Sequence, residues 1–197
     1  IASLWTLTGY GNQGSEWNLE QKLDSIRSAG FTGFAGRISQ VTSELIENSG
    51  LVFCAIHDIG LNSDIRAELE QLKSVGSACV NVQMLDHDSP TEMAVPLAIE
   101  VLRIADDLEL DVGIEVHRDT CTETPEKTYA LAEGYEQSEG RPMKITWDFS
   151  HPAIIKHISP PYWDPLPVLF ALYVWLHSRK PQILLCKQNV RSIERGP

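Results

Sequence analysis

Short β-rich runs alternate six times with helical patterns along the first 150 residues, and no other feature constrains the fold as much. Residues 3–8 are apolar enough for a strand. Residues 17–29 put Leu19, Leu23 and Ile26 at helical spacing and close on Gly30. A short strand over 31–35 leads to a helix over 41–48 that stops at Gly50. The pattern repeats as strand 51–56, helix 64–75 and strand 78–84, then helix 94–108 and strand 112–116. Pro96 is tolerable only if it lies in the first turn of its helix. Thr124-Pro125-Glu126 supplies a cap, a first-turn proline and an acid at the positive dipole end, which starts a helix running to about Gln137. Residues 143–149 form the sixth strand.

Such alternation means parallel strands joined by crossover helices, either in an eight-unit barrel or in an open doubly wound sheet. The doubly wound reading lacks its phosphate fingerprint. Gly9-Tyr10-Gly11-Asn12-Gln13-Gly14 matches GxGxxG by letter, but no helix opens on it. Strand parity favours the barrel. Val112, Ile114 and Val116 share one face, and Gly113, Glu115 and His117 share the other. Met143, Ile145 and Trp147 stand opposite Lys144, Thr146 and Asp148, and Val80 and Val82 stand opposite Asn81 and Gln83. Polar residues gathered on one face near the strand ends suit a barrel with a polar mouth, and active sites in that fold sit at the C-terminal ends of the strands. The expected fold is therefore α/β, a TIM-type barrel that is incomplete, with about six βα units.

Charge narrows the function. A net charge of −11 argues against non-specific nucleic-acid or anionic-membrane binding. The longest apolar run, 168–176, is about half of the ~20 residues a membrane helix needs. Cys54 and Cys79 lie in apolar runs and read as buried, inert thiols, which points to a reducing compartment and a cytoplasmic protein.

Glu115 and Asp148 each end an apolar strand. A carboxylate facing a barrel interior costs several kcal/mol unless it is paired or bound to a metal. A salt bridge from either acid to Arg118 is the plain alternative. Two acids ending adjacent strands beside histidines favour a divalent metal: Mn²⁺, Mg²⁺, Co²⁺ or Zn²⁺. His87, between Asp86 and Asp88, reads as a solvated loop histidine.

A strand-terminal Glu115 followed by Asp148-Phe149-Ser150-His151 resembles the xylose-isomerase-like TIM-barrel superfamily of sugar and sugar-phosphate isomerases, epimerases and apurinic-endonuclease-type enzymes. Trp5 to Gly9, Gly30-Phe31-Thr32-Gly33-Phe34 and Ala55-Ile56-His57-Asp58 add to it. The likeness covers about residues 3–164. It implies Glu115 and Asp148 as two of four metal ligands, Glu115 as an acid/base group and His151 as a substrate-side catalytic group. It implies a sugar or sugar phosphate as the substrate. His57, at the third strand's end, is placed either to hydrogen-bond substrate hydroxyls or in a loop or structural role, while His117 shares Glu115's face and Arg118 suits a phosphate or carboxylate, making all three candidate substrate contacts. An endonuclease-type phosphodiesterase is a weaker alternative, because the chain is acidic and Gln83 stands where another ligand is wanted. A third is a barrel remnant that does no chemistry.

The remaining ligands, a His and a Glu, should follow on two further strands. The chain offers His157, His177 and Glu194, with a possible helix at 170–176 and strand at 182–186, none in a convincing order. Composition breaks at the same place: residues 165–197 hold one acid against five basic residues. This divides the chain into a partial barrel, 1–164, and an atypical tail, 165–197. The tail reads as an unrelated sequence, such as a shifted frame, more readily than as a natural short variant. An unclosed barrel leaves strand edges that favour self-association.

Overall fold

The structure, a computed structural model, describes residues 1–12, 15–148 and 151. The readings placed on His157, His177, Glu194, 170–176 and 182–186 lie outside the described residues. The main sheet is parallel, with strands β1 (Ala2–Ser3), β4 (Gly33–Gly36), β5 (Val52–Ile59), β6 (Cys79–Met84), β7 (Asp111–Val116) and β8 (Ile145–Trp147) in that spatial order. A small antiparallel pair, β2 (Gly11–Asn12) and β3 (Ser15–Glu16), stands apart. Helices α1 (Leu19–Ser28), α2 (Ser43–Ser49), α3 (Ile65–Val75), α4 (Thr91–Asp107) and α5 (Pro125–Glu139) connect the parallel strands after β1. This is a partial TIM-type α/β barrel, as the alternation implies.

Local chemistry sets the helix boundaries. Asn18 and Gln21 form a reciprocal capping box on α1. Asp64 caps α3 by accepting from the Ala67 N–H at 3.2 Å, and Thr124 caps α5 with Pro125 at its first position. Gly50, Gly76 and Gly140 stop α2, α3 and α5 in left-handed conformations. Two elements differ from expectation. Helix α4 begins at Thr91, three residues before the expected start, so Pro96 is its sixth residue, beyond the first turn where it was expected, and has no N–H to give the Glu92 carbonyl. Residues 4–7 form a 3₁₀ turn rather than a strand. Ser3 accepts from the Trp5 N–H, and the Thr6 hydroxyl donates to the Ser3 carbonyl at 2.6 Å. These local bonds compete with a strand ladder.

The two faces of the sheet divide as parity requires. Phe34, Phe53, Ala55, Val80, Val82, Val112 and Ile114 meet the helices in one core with Leu69, Leu72, Val101, Leu131 and Tyr135. The other face is the barrel interior. Its floor is Ala35, Cys54 and Cys79, paired across β4, β5 and β6, with Ile1 and Ile56 packed on them. Cys54, Cys79 and Cys121 are buried thiols. A hydrogen bond with Cys54 holds the Cys79 thiol below its usual range, and burial pushes Cys121 up to about 12.

Above the floor the interior turns polar. Ile56, Asn81 and Gly113 are partners in register, as are Asp58 with Gln83 and Glu115 with Thr146. Gly113 is required here: a Cβ would sit 2.7 Å from Thr146 Oγ1 and 3.4 Å from its backbone nitrogen. Gly113→Ala is expected to displace β8 and cost about 1–3 kcal/mol. Urea unfolding measures this, and an unchanged midpoint would show that β8 does not approach so closely.

Candidate metal and substrate site

The C-terminal ends of the strands frame a cavity of about 370 Å³. Glu115 lies in its wall at the end of β7 and is buried, with 7% exposure. Gln83 Nε2, from β6, donates to Glu115 Oε2 at 2.9 Å. Asp148 follows the last residue of β8. His151 Nε2 lies 3.4 Å from Asp148 Oδ2. The ring of His151 packs against that of His117 at a tilt of 50°, with centroids 3.9 Å apart. One donor atom each from Glu115, Asp148 and His151 lies within 4.8 Å of the others.

The loop after β7 is pinned from beneath. The Thr122 hydroxyl donates to the Glu115 carbonyl at 2.6 Å and accepts from the His117 N–H at 3.3 Å. Thr128, at the start of α5, donates to the Thr122 carbonyl at 2.9 Å. His117 Nδ1 lies 2.5 Å from the Arg118 carbonyl, so it carries the proton and leaves Nε2 as the outward atom. Asp119 takes a left-handed conformation, φ 60°, and accommodates the turn.

The electrostatics suit a cation. Burial, the largest influence, raises the Glu115 carboxyl above its ordinary range, although Gln83, His117 and Asn81 oppose the shift. Burial, and next the neighbouring His117, hold His151 below its ordinary value, favouring neutral imidazole, the ligating form. His151 Nδ1 is buried with no hydrogen-bond partner among the described residues. Two carboxylates and an imidazole form a mixed oxygen and nitrogen donor set that fits Mn²⁺, Co²⁺ or Zn²⁺ and, through the carboxylates, Mg²⁺.

Glu115, Asp148, His151, His117 and Arg118 thus line one cavity, as their placement on strand ends and adjoining loops implies. His57 does not join them. It points toward the helices, where its Nε2 is 2.8 Å from Glu68 Oε2 on α3. The Arg118 salt bridge to Glu115 is not formed among the described residues; Arg118 Nε lies 3.7 Å from Asp119. His87 is exposed and bonds Asp86, as a loop histidine should.

Five lining residues, Ser3, Trp5, Arg37, Ile56 and Gln83, were given no role in the site from sequence. Ser3 and Trp5 come from the first strand and its 3₁₀ turn, and Trp5 is 66% exposed. Arg37 follows β4 and makes a bidentate ion pair with Asp58, at 2.6 and 3.1 Å. A charged residue directly after an apolar strand was the available signal for Arg37. Arg118, Gln83 and His117 also line an adjoining cavity of about 360 Å³.

No family model and no curated protein matches the chain. Solved structures that share its fold include two enzymes. One is the probable 3-DHS dehydratase AsbF of Bacillus anthracis, with TM-score 0.56 and 13% identity over 79% of this chain and 66% of that one. The other is the 3-keto-D-glucoside 4-epimerase YcjR of E. coli, with TM-score 0.50 and 19% identity over 82% of this chain and 73% of that one. The chain therefore spans about two thirds of AsbF. At these identities the likeness shows the fold alone, a TIM-type α/β barrel of which this chain supplies a part. Among the described residues no helix is long and apolar enough to cross a membrane.

Proposed function

We propose that this chain is a divalent-metal-dependent isomerase or epimerase domain acting on a sugar or sugar phosphate. The observation that carries the reading is the convergence of Glu115, Asp148 and His151 donor atoms within 4.8 Å at the mouth of the barrel. Glu115 and Asp148 would hold the cation, with His151 Nε2 beside them. When bound, the cation would polarise a substrate carbonyl and its neighbouring hydroxyl and so acidify the adjoining C–H.

The chain's own groups then divide the work. Glu115 takes the proton from carbon; its raised pKa makes it a better base than an exposed carboxylate. His151 and His117 hydrogen-bond substrate hydroxyls, and neutral His151 can accept a proton. Arg118 meets a phosphate or carboxylate at the rim. The three buried thiols of the described residues, Cys54, Cys79 and Cys121, fit a reducing compartment such as the cytoplasm. The neighbours' names, a dehydratase and a keto-glucoside epimerase, support substrates with a proton beside a carbonyl.

The test is proton exchange. With Mn²⁺ in D₂O, a panel of keto and aldo sugars and their phosphates should gain deuterium beside the carbonyl, read by NMR. The rate should fall at least about 100-fold in Glu115→Gln, the lower end of what a positioned acid or base contributes. Wild-type protein that binds metal but exchanges no substrate proton would sink the isomerase reading.

A further inference from the structure

We propose that Asn81 and Gln83 are positioning residues that clamp the Glu115 carboxylate by neutral hydrogen bonds and fix the direction in which it faces the cavity. The two amides sit at alternate positions of β6, so both project from the interior face toward β7. Gln83 Nε2 donates to Glu115 Oε2 at 2.9 Å, and Asn81, two residues earlier on the same face, acts with it to lower the carboxyl's pKa against the effect of burial. Asn81 is 92% buried by its 8% exposure, and its Oδ1 has no partner among the described residues. An acceptor stranded in that way is costly.

Neutrality is the informative part. A lysine or arginine on β6 would also satisfy Glu115, but it would cancel the charge and repel a cation. Amides donate hydrogen bonds and leave the negative charge intact. Partners of this kind around metal ligands commonly govern affinity by 10–100-fold. The consequence for metal rests on the function proposed above; the clamp itself does not.

Two measurements separate the clamp from that function. In metal-free protein, a double-mutant cycle of Gln83→Met with Glu115→Met, followed by urea unfolding, should be non-additive; near-isosteric Met keeps the core filled. Calorimetric Mn²⁺ titration should then show affinity about 10–100-fold weaker in Gln83→Met, and weaker again with Asn81→Leu added. Circular dichroism verifies that each variant folds. An additive cycle overturns the clamp. A non-additive cycle with unchanged Mn²⁺ affinity reduces the pair to a structural contact and also overturns the positioning role. If the wild type binds no Mn²⁺ but the cycle is non-additive, the clamp stands and the metal-dependent function falls.

Discussion

Glu115→Gln is expected to weaken Mn²⁺ binding by more than about 100-fold, exceeding the 10–100-fold typical of losing an outer hydrogen-bond partner. The substitution keeps the shape and the Gln83 contact but removes the charge from the most buried of the three donors. Calorimetry on metal-stripped protein reads the loss directly. The same variant should reveal the electrostatic cost of the site without metal. Burial raises the folded-state pKa of Glu115 above its unfolded value. Its contribution to stability is therefore fully present below the unfolded pKa and is lost as pH rises through the folded pKa. Metal-free wild type should lose stability relative to Glu115→Gln as pH rises from the ordinary carboxylate range. Urea midpoints for the two proteins at stepped pH test this, and a difference that is flat or of opposite slope would contradict it.

Phe53→Ala is expected to cost about 3–5 kcal/mol, the range for deleting a fully buried aromatic ring. Phe53 is 1% exposed on β5 and packs against Phe34 of β4 with ring centroids 5.1 Å apart. The two rings join the central strands to the helical layer, and Leu69 and Leu72 of α3 belong to the same core. A domain of ordinary stability has only about 5–15 kcal/mol in total. The variant should therefore unfold at markedly lower urea concentration, if it accumulates as folded protein at all. A loss below about 1 kcal/mol would mean that this core collapses around the gap.

Parity made Glu115 legible. Val112, Ile114 and Val116 are apolar, so the intervening Gly113 and Glu115 had to face inward, and they do. The α5 start was legible for a similar reason: Thr124 and Pro125 each have one strong local preference. Strand β5 offered no such contrast. Its residues 53–56 are apolar on both faces, so hydrophobicity could not decide whether Ile56 or His57 faced the cavity. The register answers it: Cys54 and Ile56 face the interior, and His57 meets Glu68 on the helical side. The first strand failed differently. Residues 3–8 carry strand-like composition, yet Ser3 and Thr6 satisfy nearby backbone groups and turn the chain early. That turn brings Trp5 to the cavity, a placement composition could not reveal. Arg37 became a site residue only when β4 and β5 were paired and Asp58 stood beside it.

Except for the small separate hairpin, the strands lie in space in the order in which they are synthesised. Each new strand docks on the edge left by its predecessor, so a chain leaving the ribosome could extend the sheet one unit at a time. Residues framing the cavity arrive in the same sequence: Arg37 and Ile56 early, Gln83 next, then Glu115, and Asp148 and His151 last. The floor and the amides of β6 are in place before all the proposed donors exist. A cation bound there could not template the early sheet. It would instead favour the docking of β8 onto β7, adding its binding energy to that step.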